Sequence, residues 1–419
     1  MAQLYDRLRR IRDEQRRAAA SQQSKPAPPP VRDTIVDAAA LQAAGWSSPA
    51  PGLWRRNDLR PLGPNALRLV RGATLDLHRA TGGPCRPIAL DTETSGLSTG
   101  AGNPAFLVGI GTVTDDSSCV EQLLMTDFGA EPDLIAALLD RIAELSQQDA
   151  APPTFLSYNG AAFDLPLLRS RCIINRSLWP ERAHLDLLTP VRRLYASRIG
   201  SCSLQAVEQN VLGHRRAVDV PSFEVPARYL AFTAGGPWAP FAPVLDHHLE
   251  DIHSLPEIAA LVSLELSGEP TRSLIEPDPY GTARSLLRDR STVDHQRVDA
   301  LLAAAAADRR YPEVAGRALE LIAARARRRG DRAADGVARR ARYDITGSLA
   351  AGVALARYLE HHARDAAAAA QLVAQLIRRY GAREDLLHRA ARLERRLSAR
   401  PPAPTSDTDR DRRVPNDPS

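Results

Sequence analysis

The sequence predicts an α/β domain followed by an all-α region. Between about residues 76 and 265, strand-like segments come first and then alternate with amphipathic helical segments, as in layered α/β domains. Residues 294–398 are rich in alanine, arginine and leucine, which favours helices. Charge also changes along the chain: residues 34–300 carry 23 basic and 31 acidic side chains, whereas residues 301–400 carry 21 and 11. We therefore expect two folded units of opposite net charge.

The elements of the α/β domain follow from apolar patterning, in chain order. TLDLHRA, PIALDTET and AFLVGIGTVT have the composition of strands, and CVEQLLMTD is a candidate fourth strand. EPDLIAALLDRIAELSQQ has apolar residues at helical spacing. After it, TFLSYNG predicts a strand, FDLPLLRSRC a helix and AHLDLL a strand. SLQAVEQNVLG predicts a helix that its last residue, Gly213, ends.

The other segments are predicted to flank or connect these units. Residues 1–33 indicate a charged helix and a proline-rich linker, and residues 34–75 an irregular lead-in that packs on the α/β domain. Residues 266–293 predict a linker with one helical stretch. Residues 399–419 have the composition of a disordered tail.

The helical region contains a faint internal repeat. GRALELIAARARRRG from Gly316 aligns with GVALARYLEHHARDA from Gly352, an offset of 36 residues that is close to the tetratricopeptide period. We favour a helical repeat over a plain bundle. Its basic charge has three interpretations: arginines that hold a nucleic-acid backbone, a groove that docks a partner protein, or a solvated surface. The arginines considered for the first are Arg325, Arg327, Arg328 and Arg329.

Composition excludes several classes of protein. No apolar run approaches the length of a membrane span, and the N-terminus lacks the apolar core of a secretory signal. We therefore expect a cytoplasmic protein that does not enter a membrane. The four cysteines, Cys85, Cys119, Cys172 and Cys202, form no CxxC pair, so neither a zinc knuckle nor a disulfide framework is indicated.

Three separated motifs contribute acidic residues typical of a metal site. Asp91 and Glu93 lie two residues apart at the end of the strand PIALDTET, so both point to the same face. Asp164 begins the helix after TFLSYNG, and Asp251 lies in a helix with His247 one turn earlier. Cleavage of a phosphodiester by two divalent ions, roughly 4 Å apart, requires several carboxylates gathered from distant parts of the chain.

These motifs resemble the DEDD superfamily of exonucleases, and more closely its YprB-type RNase H-like family. HLDLLTPVRRLY, GSCSLQAVEQNVLG and DVPSFEVPARYL also resemble that family, and the resemblance covers about residues 80–390. It implies an RNase H-like mixed sheet flanked by helices, followed by a tetratricopeptide-like helical domain. It further implies two Mg²⁺ or Mn²⁺ ions and 3′→5′ exonuclease action, with DNA repair as the expected setting. The implied metal ligands are Asp91, Glu93, Asp164 and Asp251.

The general base is the least conventional part of this assignment. Histidine-type members of the superfamily place it five residues before the last aspartate, where this chain has Asp246. His247 stands four residues before Asp251, where tyrosine-type members have a tyrosine. We assign His247 as the base and keep His248 as the alternative.

The remaining assignments leave alternatives open. Asp186 in HLDLL is expected to cap the helix near Thr189 or to support the metal ligands. Tyr158, Asn159 and Phe163 either grip a strand terminus or form a buried aromatic pair around a loop asparagine. The expected activity is a DNA exonuclease with a helicase as a partner. The alternatives are an RNA exonuclease and a catalytically silent helical-repeat adaptor.

Overall fold

The computed structural model describes residues 36–77, 83–96, 103–147, 151–216, 220–288 and 293–399, which form two compact units. The sheet unit comprises the described residues up to Thr189 together with Val211–Ser273, and the helical unit comprises Pro190–Asn210 and the described residues from Leu274. The predicted N-terminal helix and linker lie outside the described residues, as does the predicted tail after Ala399.

The sheet unit holds all of the strands in the described part of the chain. These are β1 (Ser47–Ala50), β2 (Leu53–Pro61), β3 (Val70–Arg71), β4 (Thr74–Asp76), β5 (Pro84–Thr94), β6 (Ala105–Val113), β7 (Ser117–Met125), β8 (Pro153–Ser157) and β9 (Ala183–Asp186). Its helices are α1 (Ala38–Ala43), α2 (Pro64–Leu69), α3 (Glu131–Ser146), α4 (Asp164–Ile174), α7 (Val225–Thr233) and α8 (Ala242–Ser267), with a 3₁₀ turn at Phe128–Ala130. The helix between β9 and α7, α5 (Leu188–Ile199), begins in this unit.

Among the described residues, the nine strands form one mixed sheet with β5 at its centre. The order is β1-β2-β7-β6-β5-β4-β3, all antiparallel, and β8 pairs with β5 in parallel and with β9 in parallel. Residues Arg86–Leu90 of β5 are all buried, as expected for a strand covered on both faces. The parallel strands β5, β8 and β9 bring their carboxyl ends to one edge of the sheet. The predicted mixed sheet flanked by helices is confirmed.

The expectation of an irregular lead-in at residues 34–75 is not met, because this segment contributes strands. β2 runs antiparallel to β7 from Leu53, opposite Met125, to Pro61, opposite Ser117. Its sequence, LWRRNDLRP, contains arginine, asparagine and aspartate, which have low strand propensity. Pairing with β7 outweighs that propensity, and after the buried Leu53 and Trp54, exposed and partly buried residues alternate along the strand.

Helix α8 packs closely against the sheet at two glycines of β6. A Cβ atom on Gly109 would lie 1.9 Å from Cδ1 of Ile252 and 2.6 Å from Cε1 of His248. A Cβ atom on Gly111 would lie 2.6 Å from Cγ2 of Ile252. Only glycine therefore allows this helix, which carries Asp251, to approach the sheet so closely.

We expect Gly109→Ala to destabilise the sheet unit by about 1–3 kcal/mol, the usual cost of overpacking a core. The midpoint of urea unfolding measures the effect. Gly83→Ala is the control, because a Cβ atom there would meet nothing within 4 Å and its φ is not positive. Equal midpoints for the two variants would contradict the close approach of α8.

The helical unit contains no strand among its described residues. After α5 come α6 (Leu204–Val207) and a π-helical turn (Glu208–Leu212), whose end belongs to the sheet unit. Then follow α9 (Pro279–Leu286), α10 (His295–Ala307), α11 (Pro312–Arg328), α12 (Arg332–Thr346), α13 (Leu349–His361), α14 (Ala366–Tyr380) and α15 (Glu384–Ser398). The predicted all-helical C-terminal region is confirmed. None of the described helices is long and apolar enough to cross a membrane.

The predicted repeat corresponds to two helical pairs, α11 with α12 and α13 with α14. A Cβ atom on Gly316 would lie 2.5 Å from Cγ2 of Thr346, in the second helix of the first pair. A Cβ atom on Gly352 would lie 2.5 Å from Cδ2 of Leu376, in the second helix of the next pair. Both glycines thus allow the same close approach within a pair. The tetratricopeptide-like character of these pairs stays a prediction.

Candidate active site

The end of β5 presents the first two carboxylates. Asp91 and Glu93 are alternate residues of the strand and point to the same face. Asp91 lies opposite Gly109 of β6, and its side chain is 21% exposed. Both carboxylates therefore stand where the central strand leaves the buried core.

The third carboxylate, that of Asp164, comes from the loop that follows β8. Asp164 is the first residue of α4, is 7% exposed and accepts a hydrogen bond from the Thr92 hydroxyl to Oδ1 at 2.6 Å. Because β8 runs parallel to β5, its loop begins at the edge where Asp91 and Glu93 lie. Thr92, between these two acids, thus links β5 directly to α4.

Asp186 holds that loop in place. Its Oδ1 accepts hydrogen bonds from the backbone N–H groups of Asn159 at 2.8 Å and Leu188 at 3.0 Å, and its Oδ2 from that of Ala161 at 3.1 Å. Asn159 is in the left-handed conformation, with φ 69°, which asparagine tolerates better than most residues. Asp186 thus joins the end of β9, the loop before Asp164 and the first turn of α5.

Helix α8 supplies Asp251 and His247 from the same side. His247 Nε2 lies 3.4 Å from Oδ2 of Asp251. One ligand atom from each of Glu93, His247 and Asp251 can be chosen so that all three lie within 4.8 Å of one another. Among the described residues this is the one group of acidic, histidine or cysteine side chains with such a spacing.

Arg216 also enters this cluster, and the sequence motifs do not point to it. Its side chain is 1% exposed, with Nη2 2.5 Å from Oδ1 of Asp251 and Nη1 3.0 Å from Nδ1 of His247. Since a guanidinium has only donors, Nδ1 of His247 accepts the hydrogen bond. Arg216 therefore brings positive charge to the carboxylates and sets the orientation of the imidazole.

His248 has a different environment from His247. Its side chain is 0% exposed, and Nδ1 accepts a hydrogen bond from Nε2 of Gln122 at 2.9 Å. Nε2 therefore carries the proton and donates to the backbone oxygen of Asp91 at 3.2 Å. Burial lowers the pKa of His248 to about 3. The ring is thus a neutral support for the end of β5, which argues against the alternative base assignment.

Asp246, at the position of the base in histidine-type enzymes, does not join the cluster. Its side chain is 65% exposed, and its carboxylate lies 3.5 Å from Nη2 of Arg56. Of the three residues considered for gripping a strand terminus, Phe163 is 51% exposed, whereas Tyr158 and Asn159 are partly buried. A buried aromatic pair is therefore excluded at Phe163.

The carboxylates raise one another's pKa. Burial, followed by the charges of Asp164, Asp251 and Glu93, raises the pKa of Asp91 well above its ordinary value. Burial and the charges of Asp251 and Asp164 raise the pKa of Glu93 to about 8. Burial raises the pKa of Asp164 to about 6, although the hydrogen bond from Thr92 opposes this shift.

The donor atoms fit hard divalent cations. Carboxylate oxygens are the ligands that Mg²⁺ and Mn²⁺ prefer. The mutual repulsion of the acids would be relieved by bound cations. Asp91, Glu93, Asp164 and Asp251 are therefore suited to hold such ions.

Without divalent ions, the protein is expected to lose stability as the pH rises. A carboxyl group with a raised pKa in the folded state stabilises that state only while it is protonated. The contribution of Glu93 to the free energy of unfolding should therefore decrease between about pH 4.5, its ordinary pKa, and about pH 8, and should then level off. Melting temperatures in EDTA between about pH 5 and 9 test this, and Glu93→Gln should flatten the decline. A wild-type curve with no decline would contradict the repulsion within the cluster.

Comparison with known proteins agrees with this fold. Residues 88–263 match the model of the RNase_H superfamily. The chain is also 32% identical over 205 residues to the uncharacterized protein YprB of Bacillus subtilis (strain 168), an alignment that covers 48% of each chain. The chain thus spans about half the length of this curated relative. These matches agree with the mixed sheet flanked by helices, and the matched residues 88–263 contain all four carboxylates.

Proposed function

We propose that this protein is a metal-dependent nuclease that hydrolyses phosphodiester bonds. The observation that carries the proposal is the convergence of four carboxylates from β5, α4 and α8 into one cluster at the edge of an RNase H-like sheet. The charges of Asp164, Asp251 and Glu93 all raise the pKa of Asp91, so the cluster is suited to cations. Buried charges are normally paired or coordinate metal ions. Arg216 pairs with Asp251, and bound cations would offset the remaining repulsion among the acids.

The metal ligands would be Asp91, Glu93, Asp164 and Asp251, with two Mg²⁺ or Mn²⁺ ions. When bound, such ions stabilise the attacking and the leaving oxygen of an in-line displacement. Thr92 holds the Asp164 carboxylate at a set orientation, and Asp186 holds the loop that carries it. These contacts support a preorganised ligand set.

His247 is the proposed acceptor of the proton from the attacking water. Imidazole is the side chain suited to this role near neutral pH. In the arrangement described above, Nδ1 accepts from Arg216, so the ring carries its proton on Nε2. His247 can therefore take up a second proton only after Arg216 releases Nδ1. The hydrogen bond from Arg216 would thus keep Nδ1 of His247 from accepting a proton until the guanidinium moves away.

The finer assignments rest on the resemblance to DEDD exonucleases. It supports 3′→5′ action on DNA in repair, and a helicase partner that supplies an unwound end and contacts the helical unit. RNA as the substrate is the second candidate, because the distinction depends on contacts to the 2′-hydroxyl. A silent adaptor is less favoured, because Asp91, Glu93, Asp164 and Asp251 are all present.

End-labelled substrates test the proposal. The full chain is incubated with single- and double-stranded DNA and RNA in the presence of Mn²⁺, Mg²⁺ or EDTA. We expect cleavage with either ion and none in EDTA, with products that shorten from the 3′ end. Absence of cleavage with every substrate and ion would contradict the nuclease assignment and favour the adaptor.

A further inference from the structure

The helical unit contains a cleft lined by arginines. It has a volume of about 350 Å³ and lies between α5, α9 and α11. Four arginines from these three helices line it: Arg192, Arg193, Arg284 and Arg317. Arg192, Arg284 and Arg317 are exposed, so their guanidinium groups are accessible from solvent.

Two of the helices that carry these arginines, α5 and α9, are fixed relative to each other by backbone contacts. A Cβ atom on Gly281 of α9 would lie 1.7 Å from the backbone oxygen of Arg193, so α9 rests directly on the backbone of α5. The backbone N–H of Asp278 donates to the backbone oxygen of Leu194 at 2.6 Å, which fixes the start of α9 at the same place. These backbone contacts between α5 and α9 therefore hold Arg193 and Arg284 at the same cleft.

The acidic groups beside the cleft do not neutralise it. Asp278 is 5% exposed and accepts hydrogen bonds from the Ser197 hydroxyl at 2.8 Å and the Tyr280 N–H at 2.9 Å. Glu313 lies 3.8 Å from Arg317 and is 90% exposed, a geometry that contributes little. Burial and the neighbouring positive charges of Arg288 and Arg284 lower the pKa of Arg193. The cleft therefore keeps an excess of positive charge.

An aromatic ring accompanies this charge. Tyr280 lines the cleft, and Cζ of Arg284 lies 5.7 Å from the centre of its ring. Arginine forks match the geometry of phosphate oxygens, and aromatic rings stack on bases of single strands. A free phosphate or an acidic peptide would make no use of the ring in this way.

The arginines singled out in the sequence are less suitable for this purpose. Arg325 is 8% exposed and its Nε lies 2.8 Å from Oδ1 of Asp299. Arg329 lies 2.7 Å from Oδ2 of the same aspartate. Two of the four arginines of ARARRRG thus stabilise the packing of α11 on α10.

We propose that the cleft lined by Arg192, Arg193, Arg284 and Arg317 binds the phosphodiester backbone of single-stranded nucleic acid, with Tyr280 stacking on a base. This inference rests on the proposed function, since it assigns the surface that holds the substrate outside the carboxylate cluster. It also gives the basic charge of the helical unit a specific location.

Binding in EDTA tests the inference without cleavage. Fluorescence anisotropy measures the affinity of the full chain for a labelled single-stranded oligonucleotide at several salt concentrations. Arg284→Gln combined with Arg317→Gln should weaken binding by about tenfold or more. It should also lower the magnitude of the salt slope, the slope of log affinity against log salt concentration, by about 1.4, because each phosphate contact on a single strand contributes about 0.7. Tyr280→Leu should weaken single-strand binding by about tenfold with no change in the salt slope.

Arg327→Gln combined with Arg328→Gln is the control, because it removes the same charge from exposed positions of α11. Wild-type affinity in the Arg284 and Arg317 variant, or an equal loss in the control, would overturn the inference. So would a wild-type protein that binds polyglutamate and not the oligonucleotide. A chain that binds through these arginines but cleaves nothing would retain the inference and refute only the nuclease.

Discussion

Asp91→Asn is expected to abolish phosphodiester hydrolysis while making the metal-free protein more stable. The substitution removes a proposed ligand of the metal ions, which would supply several kcal/mol of transition-state stabilisation, so activity should fall on the order of 10³-fold or more. It also removes a carboxylate whose pKa is raised by burial and by three neighbouring acids. In EDTA near pH 8, the melting temperature should rise by roughly 2–4 °C for each kcal/mol of relieved repulsion.

Asp246→Asn is the matched control for this prediction. It makes the same chemical change at a position that is 65% exposed and paired with Arg56 outside the cluster. We expect its activity and melting temperature to stay close to those of the wild type. Metal-dependent cleavage that survives in Asp91→Asn would mean that the site lies elsewhere. A lower melting temperature of Asp91→Asn in EDTA would contradict the repulsive character of the cluster.

His247→Ala is expected to lower kcat by about 10²–10⁴, the usual contribution of a general base, with a small change in KM. The loss should persist across the pH range, because the substitution removes the proposed proton acceptor itself. The side chain of His247 is only 12% exposed, so a melting temperature close to that of the wild type must accompany the loss of kcat if the loss is to be assigned to the base. Steady-state kinetics over a pH series measures both effects.

His248→Ala provides the contrast, because the two histidines are neighbours with different roles. Removing the buried ring takes one hydrogen bond from Gln122 and one from the backbone oxygen of Asp91, which should cost roughly 1–3 kcal/mol in unfolding free energy. The variant should keep most of its kcat. If kcat falls in His248→Ala by the factor expected of a general base while His247→Ala keeps full activity, the two roles are reversed.

The convergence of the carboxylates is the part of the site that sequence reasoning can reach. Asp91 and Glu93 share a face because side chains alternate along a strand. Asp164 lies beside them because it follows the parallel strand β8, and the carboxyl ends of parallel strands meet at one edge. The spacing of His247 and Asp251 follows from the helical period. Local periodicity is sufficient to place Asp91 with Glu93 and His247 with Asp251, whereas Asp164 also requires the parallel pairing of its strand.

Other features depend on contacts that no local pattern encodes. Arg216 follows the π-helical turn, in a segment with no motif of its own, and meets Asp251 only in the folded structure. β2 has a polar composition and becomes a strand only because β7 is available to pair with it. Pro190–Asn210 groups with the helical unit although it is distant in sequence from the rest of that unit. Tertiary contacts, and not local sequence patterns, determine all three features.

The contact of Arg56 with Gln122 bears on how this protein can be divided into fragments. Arg56 lies in β2 and donates to Oε1 of Gln122 at 3.2 Å and 2.9 Å, Gln122 supports His248, and His248 supports the end of β5. A fragment of residues 88–263 would begin after β2 and would expose the edge of β7. It would also lack Arg56, the first residue in this series of hydrogen bonds. The smallest unit that retains an ordered carboxylate cluster is therefore expected to begin well before residue 88, where the match to the RNase_H superfamily model starts.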